Sequence, residues 1–247
     1  MRTLKLTLQY DGTDYVGWQR QGVGRSIQGL LEDALQRFEG SPVTVHGAGR
    51  TDAGVHALGQ VASVSLAATI DTPTLARALN AVLPPDVRVL GVDEMPADFH
   101  ARFSALGKVY EYRIVNAPLV SPFVQRYAWH VMPPLDLDAM REGSEMLIGA
   151  HDFAAFQGSG SAVQTTGRVV RDIEWEEGGG YDLPLVMRIR GDGFLRHMVR
   201  NIVGTLVEVG LGRWTPARVA AIRASLDRSE AGPTAPPQGL FLVRVLY

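Results

Sequence analysis

The chain of 247 residues has no cysteine, so it contains neither a disulfide framework nor a thiolate metal site. No apolar run approaches the roughly 20 residues that a membrane-spanning helix needs. The amino terminus, MRTLKLTLQYDG, alternates polar and apolar residues, which is typical of a strand and not of a signal peptide. We therefore expect a cytoplasmic protein with no membrane segment.

Lysine is nearly absent: only Lys5 and Lys108 occur, which leaves arginine as the other 22 of the 24 basic residues. The net charge is −2, so bulk charge does not indicate a nucleic-acid partner. Arginine binds phosphate and stacks on bases, but its excess is also typical of a GC-rich genome or of adaptation to heat. An RNA-binding role must therefore depend on where individual arginines lie.

Six elements are predicted in the first half, residues 1–104. KLTLQY has the period-two alternation of a strand, and SIQGLLEDALQRFEG predicts a helix capped by Ser26 and ended by Gly40. Strands over PVTVHG, GQVASVSL and VRVLGVDEM and a helix over DTPTLARALNAVLPP complete this half. The order, β-α-β-β-α-β, is that of the ferredoxin-like fold.

The second half, residues 105–247, repeats this order with one extra helix. Strands are expected over KVYEYRIV, on both sides of GGG in RVVRDIEWEEGGGYDLPLVMRIRG, and over GLFLVRVLY. Helices are expected over LDLDAMREGSEMLIGA, GFLRHMVRNIVGTLVEVGLG and TPARVAAIRASLD. We predict an α+β protein of two ferredoxin-like, RRM-like halves whose mainly antiparallel sheets form a central cleft. RRM domains bind RNA with this topology, although the fold alone serves many functions.

The segment HGAGRTDAGVHA, residues 46–57, holds the strongest candidate for a reactive group. Its glycines and alanines leave room for a close-fitting partner, and Arg50 can keep Asp52 ionised and oriented if the loop curls. Such a carboxylate can act as a nucleophile or a general base. The alternative is a hairpin loop whose aspartate only accepts hydrogen bonds from backbone N–H groups.

Neither a phosphate-binding loop nor a metal site is predicted. The P-loop pattern is absent, and Asp52 stands where a Rossmann fingerprint would need its third glycine. His46 and His56 flank the loop but lack the H-E-x-x-H spacing of a zinc site.

Three further segments contribute aromatic and basic candidates. In YDGTDYVGWQRQ, Trp18 either stacks on a base or covers the edge of the core, and Arg20 follows it. In KVYEYR, Tyr110 shares a strand face with a second tyrosine, either as a cross-strand partner or as a stacking surface. RIRGDGFLRHMVR places Arg196 and Arg200 four residues apart in a predicted helix. This cluster either binds phosphates or forms a solvated basic face.

Together, five segments closely resemble motifs of the tRNA pseudouridine synthase A family, in that family's order. They are YDGTDYVGWQRQ, HGAGRTDAGVHA, DFHARFSALGKVYEYRI, GDGFLRHMVRNIVGTLVEVG and QGLFLV. The resemblance extends over essentially the whole chain, and GRTDAGVHA is its most specific part.

The resemblance implies that Asp52 is the essential aspartate and that Arg50 pairs with it and helps to hold the target nucleotide out of its stack. It implies that Tyr110 packs on the target base. The cleft would be lined by Phe194, Arg200 and Leu240, and the other candidate substrate-binding residues are Trp18, Arg20, His56 and Arg196. It further implies a homodimer without cofactor that converts uridine to pseudouridine at positions 38, 39 and 40 of the tRNA anticodon arm.

Two other functions remain open at this point. A non-catalytic RNA-binding protein of two RRM-like domains would need aromatic and basic side chains but not the loop that carries Arg50 and Asp52. An acid–base hydrolase would use Asp11 and Asp52 as paired carboxylates in one pocket, and it gives no reason for the arginine cluster.

Overall fold

The computed structural model describes residues 1–160 and 163–247 and shows a mixed α+β protein with mainly antiparallel strands. The strands are β1 (Arg2–Tyr10), β2 (His46–Gly47), β3 (His56–Leu66), β4 (Val87–Met95), β5 (Gly107–Asn116), β6 (Trp129–Val131), β7 (Gly149–Asp152), β8 (Gly167–Glu176), β9 (Leu185–Gly191) and β10 (Leu240–Leu246). The helices are α1 (Ile27–Glu39), α2 (Thr72–Val82), α3 (Leu137–Glu145), α4 (Met198–Gly210) and α5 (Pro216–Ser225). None of these helices is long and apolar enough to cross a membrane.

The chain divides into two compact units, one formed by Met1–Leu106 with Phe241–Tyr247 and the other by Gly107–Leu240. This division follows residue 106, two residues after the expected one between residues 104 and 105. The last seven residues belong to the first unit, which differs from the predicted grouping of 105–247 as one half. Parallel pairing explains the difference, because Phe241 and Leu242 of β10 pair with the start of β3.

In the first unit the strand order is β4-β1-β3-β10, with β1 antiparallel to both β3 and β4. The predicted alternation along β1 is confirmed, since Leu4, Leu6 and Leu8, at every second position, are completely buried. The predicted caps of α1 are also confirmed. Ser26 accepts a hydrogen bond from the Gly29 N–H, and Gly40 ends the helix with a left-handed backbone.

The strand predicted over PVTVHG is wrong in length, because only its last two residues form β2. Two side chains of α1 instead bind the backbone of the residue that precedes β2. The Val45 N–H donates to Glu32 Oε1 at 3.2 Å, and the Val45 carbonyl accepts from Gln28 Nε2 at 3.0 Å. These polar groups are thus satisfied without a strand partner.

In the second unit the strand order is β5-β9-β8-β7, all antiparallel, and β6 pairs parallel with β5. The helix predicted to residue 150 ends at Glu145, and its last predicted residues enter β7, where Gly149 has a φ of +115°. The helix predicted from residue 193 begins only at Met198, because His197 has a left-handed backbone with φ of 59°. An α-helix cannot include such a residue.

Candidate functional site

Asp52 lies in the connection between β2 and β3, where the side chain is half-buried. The backbone closes a turn immediately after it, since the Val55 N–H donates to the Asp52 carbonyl at 3.1 Å and Gly54 has a φ of 76°. This positive φ explains why a glycine stands at position 54. Asp52 is therefore presented by an ordered turn rather than by an irregular segment.

The segment that follows β1 packs tightly against this loop. The Trp18 N–H donates to the Thr51 carbonyl at 3.0 Å. At Gly17, where φ is +104°, a Cβ atom would lie 2.5 Å from the Thr51 carbonyl oxygen, and at Gly12 it would overlap the Val55 carbonyl. Gly12 and Gly17 are thus explained by the close approach of this segment to the backbone of the loop.

Hydrogen bonds from the sheet hold the other side of the loop. The Tyr10 hydroxyl is 2.8 Å from Thr51 Oγ1, and Gln60 Nε2 donates to the Gly49 carbonyl at 2.9 Å. All three of these side chains are buried. Sequence reasoning missed them, although Gln60 is a polar residue on the strand face shared by Ala62 and Val64, which is an available signal.

Arg50 and Asp52 lie on either side of Thr51, and their pairing stays a prediction. The residue between them, Thr51, is drawn inward by its buried hydroxyl, whereas Arg50 is exposed to solvent. The structure therefore leaves the Arg50 guanidinium available to an incoming anion.

Two predicted substrate-binding residues are buried. Trp18 is only 2 % exposed, and its ring lies so close to Gly47 that a Cβ there would overlap it. Its place at the edge of the core, one of the two interpretations above, is the one that the structure supports. His56 is 1 % exposed, stacks on Phe241 with ring centroids 4.7 Å apart, and accepts the Gly12 N–H at Nδ1. Neither ring presents a face for stacking on a base.

Arg20 remains on the surface but already has acidic partners. Its Nη1 lies 3.2 Å from Glu32 Oε2 and 3.0 Å from Asp33 Oδ1, both on α1. The hydrogen bond to Glu32, followed by that to Asp33, raises the pKa of Arg20 above its ordinary value. A phosphate would have to compete with these carboxylates for the guanidinium.

Asp11, the second carboxylate of the hydrolase interpretation, is engaged in local contacts. Its Oδ1 accepts the Thr13 N–H at 3.0 Å and the Thr13 hydroxyl at 2.6 Å. The same oxygen lies 3.1 Å from His56 Nδ1. This arrangement is a turn that joins the end of β1 to β3, and it favours a structural role for Asp11.

In the second unit, Tyr110 and Phe194 form an edge-to-face pair with centroids 5.1 Å apart and an interplanar angle of 83°. Tyr110 lies on β5 and is 8 % exposed, and Phe194 precedes α4 and is half-buried. The neighbouring Tyr112 is fully buried and donates to the Pro236 carbonyl at 2.7 Å. Burial raises the pKa of Tyr112, so its hydroxyl stays protonated.

The basic cluster differs from its predicted form. Arg196 precedes α4 and donates to the Ser159 carbonyl at 2.7 Å, whereas Arg200 lies in the first turn and donates to the Ala235 carbonyl at 2.7 Å. Arg188 pairs with Glu111 at 3.1 Å, and Arg190 lies 3.8 Å from Asp172. Neighbouring strands thus supply acidic partners that the sequence order does not reveal.

Leu240, the last predicted lining residue, begins β10 and is 6 % exposed.

In the described part of the chain, no group of three or more His, Cys, Asp or Glu side chains is arranged to hold a metal ion.

The family model described as tRNA pseudouridine synthase matches residues 7–104 and 144–247. The chain belongs to the tRNA pseudouridine synthase family. It is 45 % identical to the tRNA pseudouridine synthase A of Syntrophotalea carbinolica over all of this chain and 97 % of that protein. It is 47 % identical to the synthase of the same name from Geobacter sulfurreducens, with both chains covered completely. The first matched range contains the Asp52 loop, and the second contains Phe194, Arg200 and Leu240.

Proposed function

We propose that this tRNA pseudouridine synthase modifies uridines 38, 39 and 40 in the anticodon arm and that Asp52 is its essential carboxylate. The enzyme is an isomerase that converts uridine to pseudouridine. The observation that carries the catalytic assignment is the loop of residues 48–55, which is ordered by buried hydrogen bonds while the Asp52 side chain stays half-exposed. Membership of the tRNA pseudouridine synthase family supports tRNA as the substrate.

The reaction breaks the N1–C1′ bond of uridine, turns the uracil and forms a C5–C1′ bond. C5 loses a proton and N1 gains one, so the atoms balance without an added reagent. Extruding the base from a stem costs a few kcal/mol. The exposed Arg50 guanidinium is suited to offset part of this cost by holding a phosphate or by filling the vacated position.

Ionised Asp52 then has three available roles: nucleophile at C1′, nucleophile at C6, or base toward the C2′ proton. All three need a carboxylate that is charged and correctly placed. A primary isotope effect on replacing the 2′ hydrogen by deuterium is expected only for the third role. We propose that Tyr110, backed by the ring of Phe194, packs on the detached uracil while it turns.

The remaining features of the proposal concern assembly and fold. We infer a homodimer without cofactor, located in the cytoplasm, and light scattering that gave only the monomer mass of 26.8 kDa would contradict the dimer. We also propose that both halves are ferredoxin-like variants. In the first unit, the antiparallel pairing of β1 with β3 and β4 supports this description.

The direct test is to incubate the protein with unmodified tRNA and to map pseudouridine base by base. We expect product at positions 38, 39 and 40 and unmodified uridine elsewhere. Product confined to another arm of the tRNA would contradict the anticodon-arm assignment, and no product at all would favour the non-catalytic RNA-binding alternative.

Arg200→Ala is expected to weaken tRNA binding and to reduce the slope of log affinity against log salt by about 1, because one phosphate contact is lost. The measurement is the tRNA dissociation constant at several salt concentrations. Arg141→Ala is the matched control, because Arg141 lies on the same unit and its guanidinium is bound by Asp138 and Glu177. An unchanged slope for Arg200→Ala would exclude Arg200 from the phosphate contacts.

A further inference from the structure

Two polar side chains lie on the otherwise apolar face of the β1–β3 pair, directly beneath the Asp52 loop. Tyr10 continues the row of Leu4, Leu6 and Leu8 along β1, and Gln60 lies opposite Leu8 on β3. They are 3 % and 0 % exposed, respectively. Burying a hydroxyl and an amide costs free energy unless each is hydrogen-bonded, whereas phenylalanine and methionine would fill similar volumes without that requirement. Their presence therefore calls for a role beyond packing.

The directions of the hydrogen bonds that Gln60 makes follow from the orientation of its amide. Its Oε1 accepts the Val61 N–H at 3.2 Å, so the NH₂ end is the one that faces the Gly49 carbonyl at 2.9 Å and the Tyr10 oxygen at 3.4 Å. An amide NH₂ group can only donate. The Tyr10 oxygen therefore accepts from Gln60, and it shares a second hydrogen bond with Thr51 Oγ1, 2.8 Å away, in which either hydroxyl can donate.

This chain of hydrogen bonds ends on both sides of Arg50, at Gly49 and Thr51. Thr51 immediately precedes Asp52 in the sequence. The Thr51 carbonyl is fixed as well, by the Trp18 N–H. The backbone that leads into Asp52 is thus held at the Gly49 carbonyl, at the Thr51 side chain and at the Thr51 carbonyl. Asp52 itself can then adopt few positions relative to the sheet.

We propose that Tyr10, Gln60 and the Thr51 hydroxyl are positioning residues that set the placement of the Asp52 carboxylate for the isomerisation; this inference rests on the proposed function of Asp52. They act through the loop backbone and touch no reacting atom. Burial, only partly offset by hydrogen bonds to Thr51 and Gln60, raises the pKa of Tyr10 to about 12. The phenol therefore stays protonated near neutral pH and keeps its hydrogen bonds to Thr51 and Gln60.

The test compares Thr51→Val, which is nearly isosteric and lacks the hydroxyl, with Thr51→Ser, which keeps it. We expect Thr51→Val to lower kcat for pseudouridine formation about 10- to 100-fold, the loss typical of a small misplacement of a catalytic group. The tRNA dissociation constant should not change. Thr51→Ser should restore kcat to near the wild-type value, and Tyr10→Phe should lower it as Thr51→Val does.

Tyr15→Phe is the control for a general loss of stability. Tyr15 is also 3 % exposed and in the same unit, but its hydroxyl donates to Asp86 at 2.7 Å instead of to the loop. This variant should lose a similar amount of stability to thermal unfolding and keep full kcat. Equal losses of kcat in Tyr10→Phe and Tyr15→Phe, or full kcat in Thr51→Val, would overturn the proposal.

The positioning role and the catalytic role of Asp52 are contradicted by different results. If Asp52→Asn is inactive while Thr51→Val and Tyr10→Phe turn over normally, only the positioning role is wrong. If Asp52→Asn itself forms pseudouridine at a near-normal rate, the proposed function of Asp52 is wrong, whatever the other variants do.

Discussion

Trp18→Ala is expected to lower the free energy of unfolding by about 3–5 kcal/mol, which is typical of removing a large aromatic side chain from a core. The ring is almost completely buried, and it packs against Gly47 and 6.5 Å from the ring centroid of Tyr10. Removing it leaves a cavity below the strand that leads into the Asp52 loop. Chemical denaturation of the variant and the wild type gives this difference directly.

Trp18→Phe separates the core role from base stacking. Phenylalanine keeps much of the apolar volume, so a smaller loss of stability and a normal tRNA dissociation constant are expected. The core assignment would be contradicted if Trp18→Ala unfolded like the wild type while its affinity for tRNA fell by the roughly 1–3 kcal/mol that stacking on one base contributes.

Local signals allowed the sequence to predict most of the elements. The Ser26 cap and the Gly40 stop of α1 depend only on residues within one or two helical turns. The same holds for α2, where Asp71 accepts the Thr74 N–H and proline occupies the first turn. Where one residue and its near neighbours decide the backbone conformation, the pattern is sufficient.

Contacts distant in sequence explain what the patterns could not predict. Whether Trp18 lies inside or outside depends on its fit against Gly47, 29 positions away. The partners of Arg188 and Arg190 come from β5 and β8, so the arginine cluster is less unbalanced than its sequence suggests. The late start of α4 depends on the left-handed backbone of His197, which no propensity indicates.

The candidate site divides in the same way. Asp52 stood out because an acidic residue among small ones is visible in the sequence. The network beneath it did not, since Tyr10 and Gln60 are 50 positions apart and meet only through the register of β1 and β3. The sequence motif is therefore enough to identify Asp52, whereas the residues that hold its loop can be identified only from the structure.

Asp52→Asn is expected to lower the rate of pseudouridine formation by about 10³-fold or more, because the nucleophile or base loses its charge. Asparagine has nearly the same shape, so the loop should keep its backbone hydrogen bonds. Asp52 is half-exposed, and the free energy of unfolding should therefore change by only about 0.5 kcal/mol or less. Affinity for tRNA should be kept or slightly increased, since a negative charge facing a polyanion is removed.

Asp52→Glu complements this variant. It keeps the charge but moves the carboxylate outward by one methylene group. Because the loop backbone is fixed on both sides, we expect it to be strongly impaired as well, although less so than Asp52→Asn. Full activity of Asp52→Glu would indicate that placement matters little and would weaken the role of the buried network.

The most direct measurement is the single-turnover rate of pseudouridine formation on unmodified tRNA with the enzyme in excess, since it reports the chemical step without product release. For Asp52→Asn at saturating enzyme, the account predicts bound tRNA whose uridines 38, 39 and 40 stay unchanged while the wild type converts them. Conversion by the variant at a rate close to that of the wild type would contradict it.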